Sequence, residues 1–259
     1  MGIVNVTPDS FSDGGRLQSV EAAVEHGLLL AEEGADVLDV GGESTRPGAQ
    51  DVAVDEELRR VIPVVEGLLR HSDVPISVDT RKAAVADEAA RAGARIINDV
   101  SALHYDRRMV DVVAARRTAL VLMHMKGEPE TMQVDPRYAD VVSEVEAFFR
   151  ERLAVCADAG ITDVWLDPGI GFGKRLEDNL ALLRNIGRLA AIGRPILVGT
   201  SRKRFLGAIT GREVGERLPG TIASCLVARR NGARMLRVHD VRAVRDALLV
   251  EDALLAEAA

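Results

Sequence analysis

Side chains able to do chemistry recur in this chain at the ends of short apolar runs: Asn5, Asp39, Asp79, Asn98 with Asp99, His124, Asp167, Ser201-Arg202-Lys203, and Arg237 with His239 and Asp240. Any single Asp or Asn at such a place serves equally well as the cap of the helix that follows. Capping does not account for nearly every run ending this way, because a buried carboxylate without a partner is costly or shifts its pKa. The set implies a ligand that satisfies it. Asp79, Asn98 and Asp167 supply acceptors and one amide donor, which suits a flat heterocycle with an amino-amidine edge, such as a pterin or a purine. Arg237, His239 and the hydroxyl of Thr45 supply donors suited to phosphate, with the basic run Arg202-Lys203-Arg204 near them. Asn5 offers a carbonyl oxygen to Mg²⁺, a hard cation that prefers oxygen and keeps waters and substrate phosphates.

The elements that must position these groups follow from periodicity. Apolar, β-branched runs end in polar or turn residues at 1–5, 36–40, 75–79, 95–98, 119–124, 164–167, 195–198 and 234–238 and read as buried parallel strands. Helical spacing fills the intervals at about 19–33, 54–70, 82–92, 107–116, 138–159, 176–190, 220–231 and 241–256. Eight strands alternating with eight helices, with no Pro/Ser-rich linker, predict an α/β fold: a single (β/α)₈ TIM barrel spanning 1–259, with the active site at the C-terminal ends of the strands. The stretch from Asp39 to Ala49 shows the pattern most plainly. A buried strand breaks into Gly41-Gly42, then a carboxylate, two hydroxyls and an arginine, and Pro47-Gly48 closes the turn. Gly169-Ile170-Gly171-Phe172-Gly173 reads as a close-approach turn that leaves room for a ring. The segment through Ser201, Lys203 and Gly207 reads as a long loop.

Composition narrows the partners. A formal charge of −7 argues against general nucleic-acid binding, so an anionic ligand needs a local basic cluster. Only 3% of residues are aromatic, which leaves the core to Val, Leu, Ile and Ala. No apolar run is long enough to span a bilayer, and no membrane partner is expected. Cys156 and Cys225 fall in helical segments and read as core thiols of a reducing, cytoplasmic setting. No GxGxxG opens a helix and no GxxxxGK[ST] occurs, which sets aside dinucleotide and Walker sites. His124 lacks the His and Cys company of a metal centre.

Eight stretches in this order resemble dihydropteroate synthase of the folate pathway: GIVNVTPDSFSDGG at 2–15, GGESTRPGA at 41–49, SVDTRK at 77–82, INDVSAL at 97–103, LMHMKGEPETMQ at 122–133, LDPGIGFGK at 166–174, SRKRFLG at 201–207 and LRVHDV at 236–241. The resemblance covers essentially the whole chain. It implies condensation of (7,8-dihydropterin-6-yl)methyl diphosphate with 4-aminobenzoate (p-aminobenzoate), giving 7,8-dihydropteroate and diphosphate. It further implies that Asp79, Asn98, Asp167 and Lys203 recognise the pterin, with Met123 packing on its ring. Asn5 would meet Mg²⁺, and Thr45, Arg237 and His239 the diphosphate. Arg46 and Pro47, with Phe172, Lys203 and the loop after the first strand, would form the arylamine pocket. Lys203, Asp79, Asp167 and Arg237 would carry the chemistry, in a homodimer open to inhibition by sulfonamides. Two other readings share part of this pattern. A methyltetrahydrofolate-type methyltransferase barrel shares the acidic pterin ring but has no use for the anion cluster, and a silent paralogue would bind pterin without synthesis.

Overall fold

The computed structural model describes residues 1–6, 20–44, 51–128 and 131–256. Eight strands run in sequence order through one parallel sheet: β1 (Gly2–Asn5), β2 (Leu38–Gly41), β3 (Ile76–Asp79), β4 (Ile96–Asp99), β5 (Ala119–Met123), β6 (Val164–Asp167), β7 (Ile196–Val198) and β8 (Ala233–Leu236). Between and after them run α1 (Val20–Glu32), α2 (Val54–His71), α3 (Ala83–Ala92), α4 (Met109–Arg116), α5 (Val141–Asp158), α6 (Leu176–Arg184), α7 (Ile186–Ala190), α8 (Arg204–Thr210), α9 (Leu218–Arg230) and α10 (Val241–Leu255). The architecture is an α/β barrel. Past β8 the chain also meets β1: Ile3 N donates to Val238 O at 3.1 Å and Val238 N to Met1 O at 3.0 Å. No helix among the described residues is long and apolar enough to cross a membrane.

Two differences from the sequence reading have local causes. The helix expected at 176–190 is two helices, because Asn185 breaks it: its side chain donates to Ala181 O at 2.8 Å and competes with the main-chain ladder. The long loop expected after β7 contains α8, whose charged start hides an apolar face in which Phe205 and Leu206 are buried. Other ends follow local chemistry. Asp140 caps α5, accepting from Val142 N at 3.1 Å and Ser143 N at 3.3 Å. Gly93 ends α3 at φ 113°, a left-handed angle that favours glycine.

Two large apolar clusters lie between sheet and helices, one built on β4 to β7 and one on β1 to β3. A third, smaller cluster joins Met1, Val37, Val121 and Leu197, with Ile96, Trp165 and Met235 packed against it. Each of these residues stands two positions before a residue on the same strand face: Ile3, Asp39, Met123, Gly199, Asn98, Asp167 and Arg237 in the same order. Side chains alternate along a strand with period two, so one inner face carries an apolar layer and, one step toward the strand exits, the polar groups. The β7–β8 pair shows how this is enforced. Ile196 pairs with Ala233 but Leu197 with Met235, and the extra residue, Arg234, is exposed. Without that bulge every later side chain of β8 would change face, and Arg237 would point outward.

Candidate active site

The strand exits converge on one cleft of about 440 Å³ including its open mouth. Asp79 and Asp167 close β3 and β6, Met123 closes β5, and Asn98 stands one residue before the end of β4. Phe172, Ser201, Lys203, Arg237 and His239 enter from the segments after β6, β7 and β8, and Ile3, Val100 and Gly199 complete the lining. Eight residues expected from sequence to bind substrate therefore share this cleft. Thr45, Arg46 and Pro47, and the loop after β1, lie outside the described residues.

Asp39 is the hub beneath the cleft. It is fully buried, and its Oδ2 accepts from Asn98 Nδ2 at 3.0 Å and from Arg237 Nε at 2.6 Å. Arg237 Nη2 also donates to Asp79 Oδ2 at 3.0 Å. One guanidinium thus holds two carboxylates and orients the amide of Asn98 through the first. Burial pushes the Asp79 carboxyl up to about 7; Arg237 pulls it back, while Asp39, Glu57 and Asp99 push it further up. Burial raises Asp167 as well, against the pull of Lys203 and the Gly169 N–H, which donates to Asp167 Oδ1 at 2.7 Å. Lys203 is pushed down to about 8 by burial, with Asp167 opposing. Its ammonium donates to Ile170 O and stands 4.3 Å from the centre of the Phe172 ring. Two reluctant carboxylates facing a reluctant ammonium gain most from a ligand that brings its own donors and acceptors.

The phosphate-side expectation needs correcting. Arg202 turns away: its backbone is left-handed at φ 58° and its guanidinium pairs with Asp240 at 2.6 Å in a partly exposed position. Arg204 is exposed. Among the described residues, the phosphate-side donors that reach the cleft are Lys203, Arg237, His239 and Ser201, whose hydroxyl lies 2.9 Å from His239 Nδ1. At β4, Asp99 serves a local turn and not the next helix: it accepts from Ser101 N at 2.8 Å and Leu103 N at 2.7 Å, ahead of α4 at Met109. His124 pairs with Lys174, their nitrogens 3.0 Å apart, and burial with the nearby ammonium drives it down to about 2. No group of three His, Cys, Asp or Glu residues fit for a metal occurs among the described residues. A cation that takes few protein ligands remains compatible with Asn5. Gly41 leaves open the space of a Cβ, and Asn5 Oδ1 and Asp79 Oδ2 lie 3.8 and 3.9 Å from that point.

A second polar cluster went unnoticed in the sequence. Lys82, nearly buried after β3, donates to Glu43 and, at 2.7 Å, to the fully buried Glu57. Arg81 binds Glu43 and Asp51, and Tyr105 donates to Asp51 at 2.8 Å. Glu43 and Asp51 flank the segment that carries Thr45, Arg46 and Pro47, so this cluster fixes where that segment leaves and rejoins the fold. The SVDTRK run was the available signal, a paired Arg and Lys directly after a buried strand.

Acceptors and half-buried cations at the exits of parallel strands define a pterin-binding enzyme of the α/β-barrel class, and the family model described as pterin binding enzyme matches residues 1–239. Dihydropteroate synthase of Escherichia coli K12 is 47% identical over 257 residues, which is 98% of this chain and 91% of that protein. The solved dihydropteroate synthase of Xanthomonas albilineans with 4-aminobenzoic acid is 54% identical, with a TM-score of 0.94 over 100% of this chain and 93% of that one. The same enzyme in complex with 7,8-dihydropteroate gives 50% identity and a TM-score of 0.90, covering 100% of this chain and 94% of that one. The chain belongs to the dihydropteroate synthase family.

Proposed function

We infer that this chain is a transferase that condenses (7,8-dihydropterin-6-yl)methyl diphosphate with 4-aminobenzoate, releasing diphosphate and 7,8-dihydropteroate. The observation that carries the reading is the meeting of Asp79, Asn98, Asp167, Lys203 and Arg237 in one cleft. Asp79 and Asp167 accept from the amino-amidine edge of the pterin, Asn98 supplies both kinds of bond, Lys203 donates to a ring acceptor, and Met123 packs on the ring face. Arg237, His239 and Thr45 meet the diphosphate, and Ser201 joins them through His239. Arg46, Pro47, Phe172 and Lys203 hold the arylamine.

The carbon–oxygen bond to diphosphate breaks ahead of amine attack, and the electron-rich dihydropterin carries the positive charge left on its methylene carbon. The carboxylates of Asp79 and Asp167 stabilise that cationic ring, and Arg237 and His239 stabilise the departing anion. The amine nitrogen then forms the new carbon–nitrogen bond and loses a proton. The arylamine pocket contributes orientation, and no protein nucleophile takes part. Asn5 would hold Mg²⁺ through its side-chain oxygen, and the ion would supply charge neutralisation to the leaving group.

The same reading extends to the assembly. A single domain, closed as a complete (β/α)₈ barrel, is supported by the continuous strand order and by the hydrogen bonds from Ile3 to Val238 and from Val238 to Met1. A homodimer is supported by exposed Val227 on α9 and Leu249, Val250, Leu254 and Leu255 on α10. The buried free thiols of Cys156 and Cys225 suit the cytoplasm. The deciding experiment incubates the protein with both substrates and Mg²⁺. Diphosphate release that requires 4-aminobenzoate and matches dihydropteroate formed supports the synthase. Pterin binding without release overturns it.

A further inference from the structure

The loop from Pro168 to Gly173, between β6 and α6, is held by its carbonyls. Lys203 donates to Ile170 O, Gln133 Nε2 to Gly171 O at 2.7 Å, Lys174 Nζ to Phe172 O at 3.0 Å, and Tyr138 OH to Gly173 O at 2.8 Å. Phe172 N closes the first turn on Gly169 O at 3.0 Å. Five consecutive carbonyls thus have donors, four of them side chains: two from the β5–α5 connection, one from the segment after β7, and Lys174 from the end of the loop itself. Asn179 Oδ1 adds a bond from Gly171 N at 2.6 Å. The alternate glycines Gly169, Gly171 and Gly173 have φ of 65°, 86° and 59°, which turns the carbonyls toward their donors. Lys174 sits inside this arc, 4% exposed, and also reaches His124 O at 3.1 Å, tying the loop to the end of β5 directly after Met123. The arc fixes the main chain of Phe172, whose ring lies beneath the Lys203 ammonium.

We propose that Lys174, with Gln133 and Tyr138, is a set of positioning residues that hold Phe172 in place for the arylamine substrate while leaving the pterin contacts to Asp79, Asn98 and Asp167. The set touches no reacting atom and acts through one ring. Burial holds the Lys174 ammonium down to about 7, so its place in the arc is maintained against a solvation cost by the two carbonyl oxygens and one ring nitrogen around it. This inference rests on the reading of Phe172 as part of the arylamine pocket.

Steady-state kinetics of the full chain with both substrates and Mg²⁺ test it. Phe172→Ala is the reference and is expected to raise KM for 4-aminobenzoate. Lys174→Met is expected to raise the same KM by about tenfold, the worth of a hydrogen bond to a charged donor, with KM for the pterin diphosphate within about twofold. Gln133→Ala, on the rim of the arc, moves KM for 4-aminobenzoate the same way by less. In the Phe172→Ala background neither clamp substitution adds a further rise. Equal rises for both substrates, a fall in kcat alone, or effects that add fully to Phe172→Ala overturn the proposal. If Lys174→Met does not fold, Gln133→Ala and its double variant decide the matter. Should Phe172→Ala leave KM for 4-aminobenzoate unchanged, the assignment of Phe172 fails. Should it raise KM while the clamp variants do not, only the positioning role fails.

Discussion

Asp39→Asn isolates a single charge. The carboxylate is fully buried, and both of its hydrogen bonds, from Asn98 and Arg237, arrive at the same oxygen, Oδ2. Its other oxygen, Oδ1, has no partner among the described residues. An asparagine that keeps its amide oxygen at the Oδ2 position retains both acceptor contacts, puts its NH₂ at the orphaned place, and loses only the negative charge. The ion pair with Arg237 becomes a bond from a cation to a neutral amide, the Asn98 bond becomes a neutral one, and an NH₂ is buried without an acceptor. Together these cost about 2 kcal/mol, held low because Arg237 keeps Asp79 as a partner. For a chain of this size that corresponds to a fall in Tm of about 4–8 °C. The second consequence is more specific. Asp39 is one of the groups that push the Asp79 carboxyl up to about 7. Neutralising it removes that push and frees Arg237 to favour Asp79, so both effects lower the Asp79 pKa. Calorimetric titration with a non-reacting pterin, 6-hydroxymethylpterin, at a series of pH values reads this directly. The midpoint for binding is expected to fall by about one unit. A midpoint that stays near 7 or rises, in a variant that has lost stability, would refute the claim that Asp39 sets the electrostatics of the pterin side.

Asp79→Asn is expected to flatten that pH profile. In the parent chain affinity for pterin should climb as pH rises toward about 7 and level off above it, because the donor edge needs the ionised carboxyl. The unliganded fold responds in the opposite sense. A carboxyl raised from 3.8 to about 7 favours the folded state at low pH, and this contribution is lost as pH climbs through that interval. Denaturant unfolding between pH 4 and 7 should therefore show a decline in stability that Asp79→Asn reduces. Lys82→Met strands the fully buried carboxylate of Glu57, while Glu43 keeps Arg81, and is expected to cost about 3–5 kcal/mol in urea unfolding at neutral pH; a loss below about 1 kcal/mol would place the cluster among ordinary surface pairs. Gly169→Ala puts a Cβ 1.9 Å from the His124 carbonyl oxygen at a backbone φ of 65°. The loop must move, so binding of pterin and of 4-aminobenzoate should both weaken, and wild-type affinity for each would show that the close approach is dispensable.

The barrel's rhythm was readable because strands buried on both faces are unbroken apolar runs, and the polar residue ending each run marks the exit. That rule found Asp79, Asn98, Asp167 and Arg237 without any view of space. It also overreached, since Arg202 and Arg204 carry the same charge as Lys203 and differ only in direction. Direction there is set by a left-handed residue and by the start of α8, neither of which a basic run reveals. The Asp39–Arg237 contact was out of reach for another reason. It depends on the bulge between β7 and β8, a shift of one residue that composition does not announce. Lys174 was hidden by its neighbours, because the glycines before it drew attention to the loop's openness and not to what fastens it.

The guanidinium of Arg237 lies 198 residues from the first carboxylate it binds and 158 from the second. During synthesis, then, the ribosome releases β2 and β3 long before their shared counter-ion exists. Until β8 docks, Asp39 and Asp79 must remain hydrated or protonated, and the half-built sheet pays to bury either one. Completion of the fold and assembly of the catalytic cleft are therefore the same late event, so a nascent chain stalled short of its last strand should neither capture pterin nor sequester it from the finished enzyme.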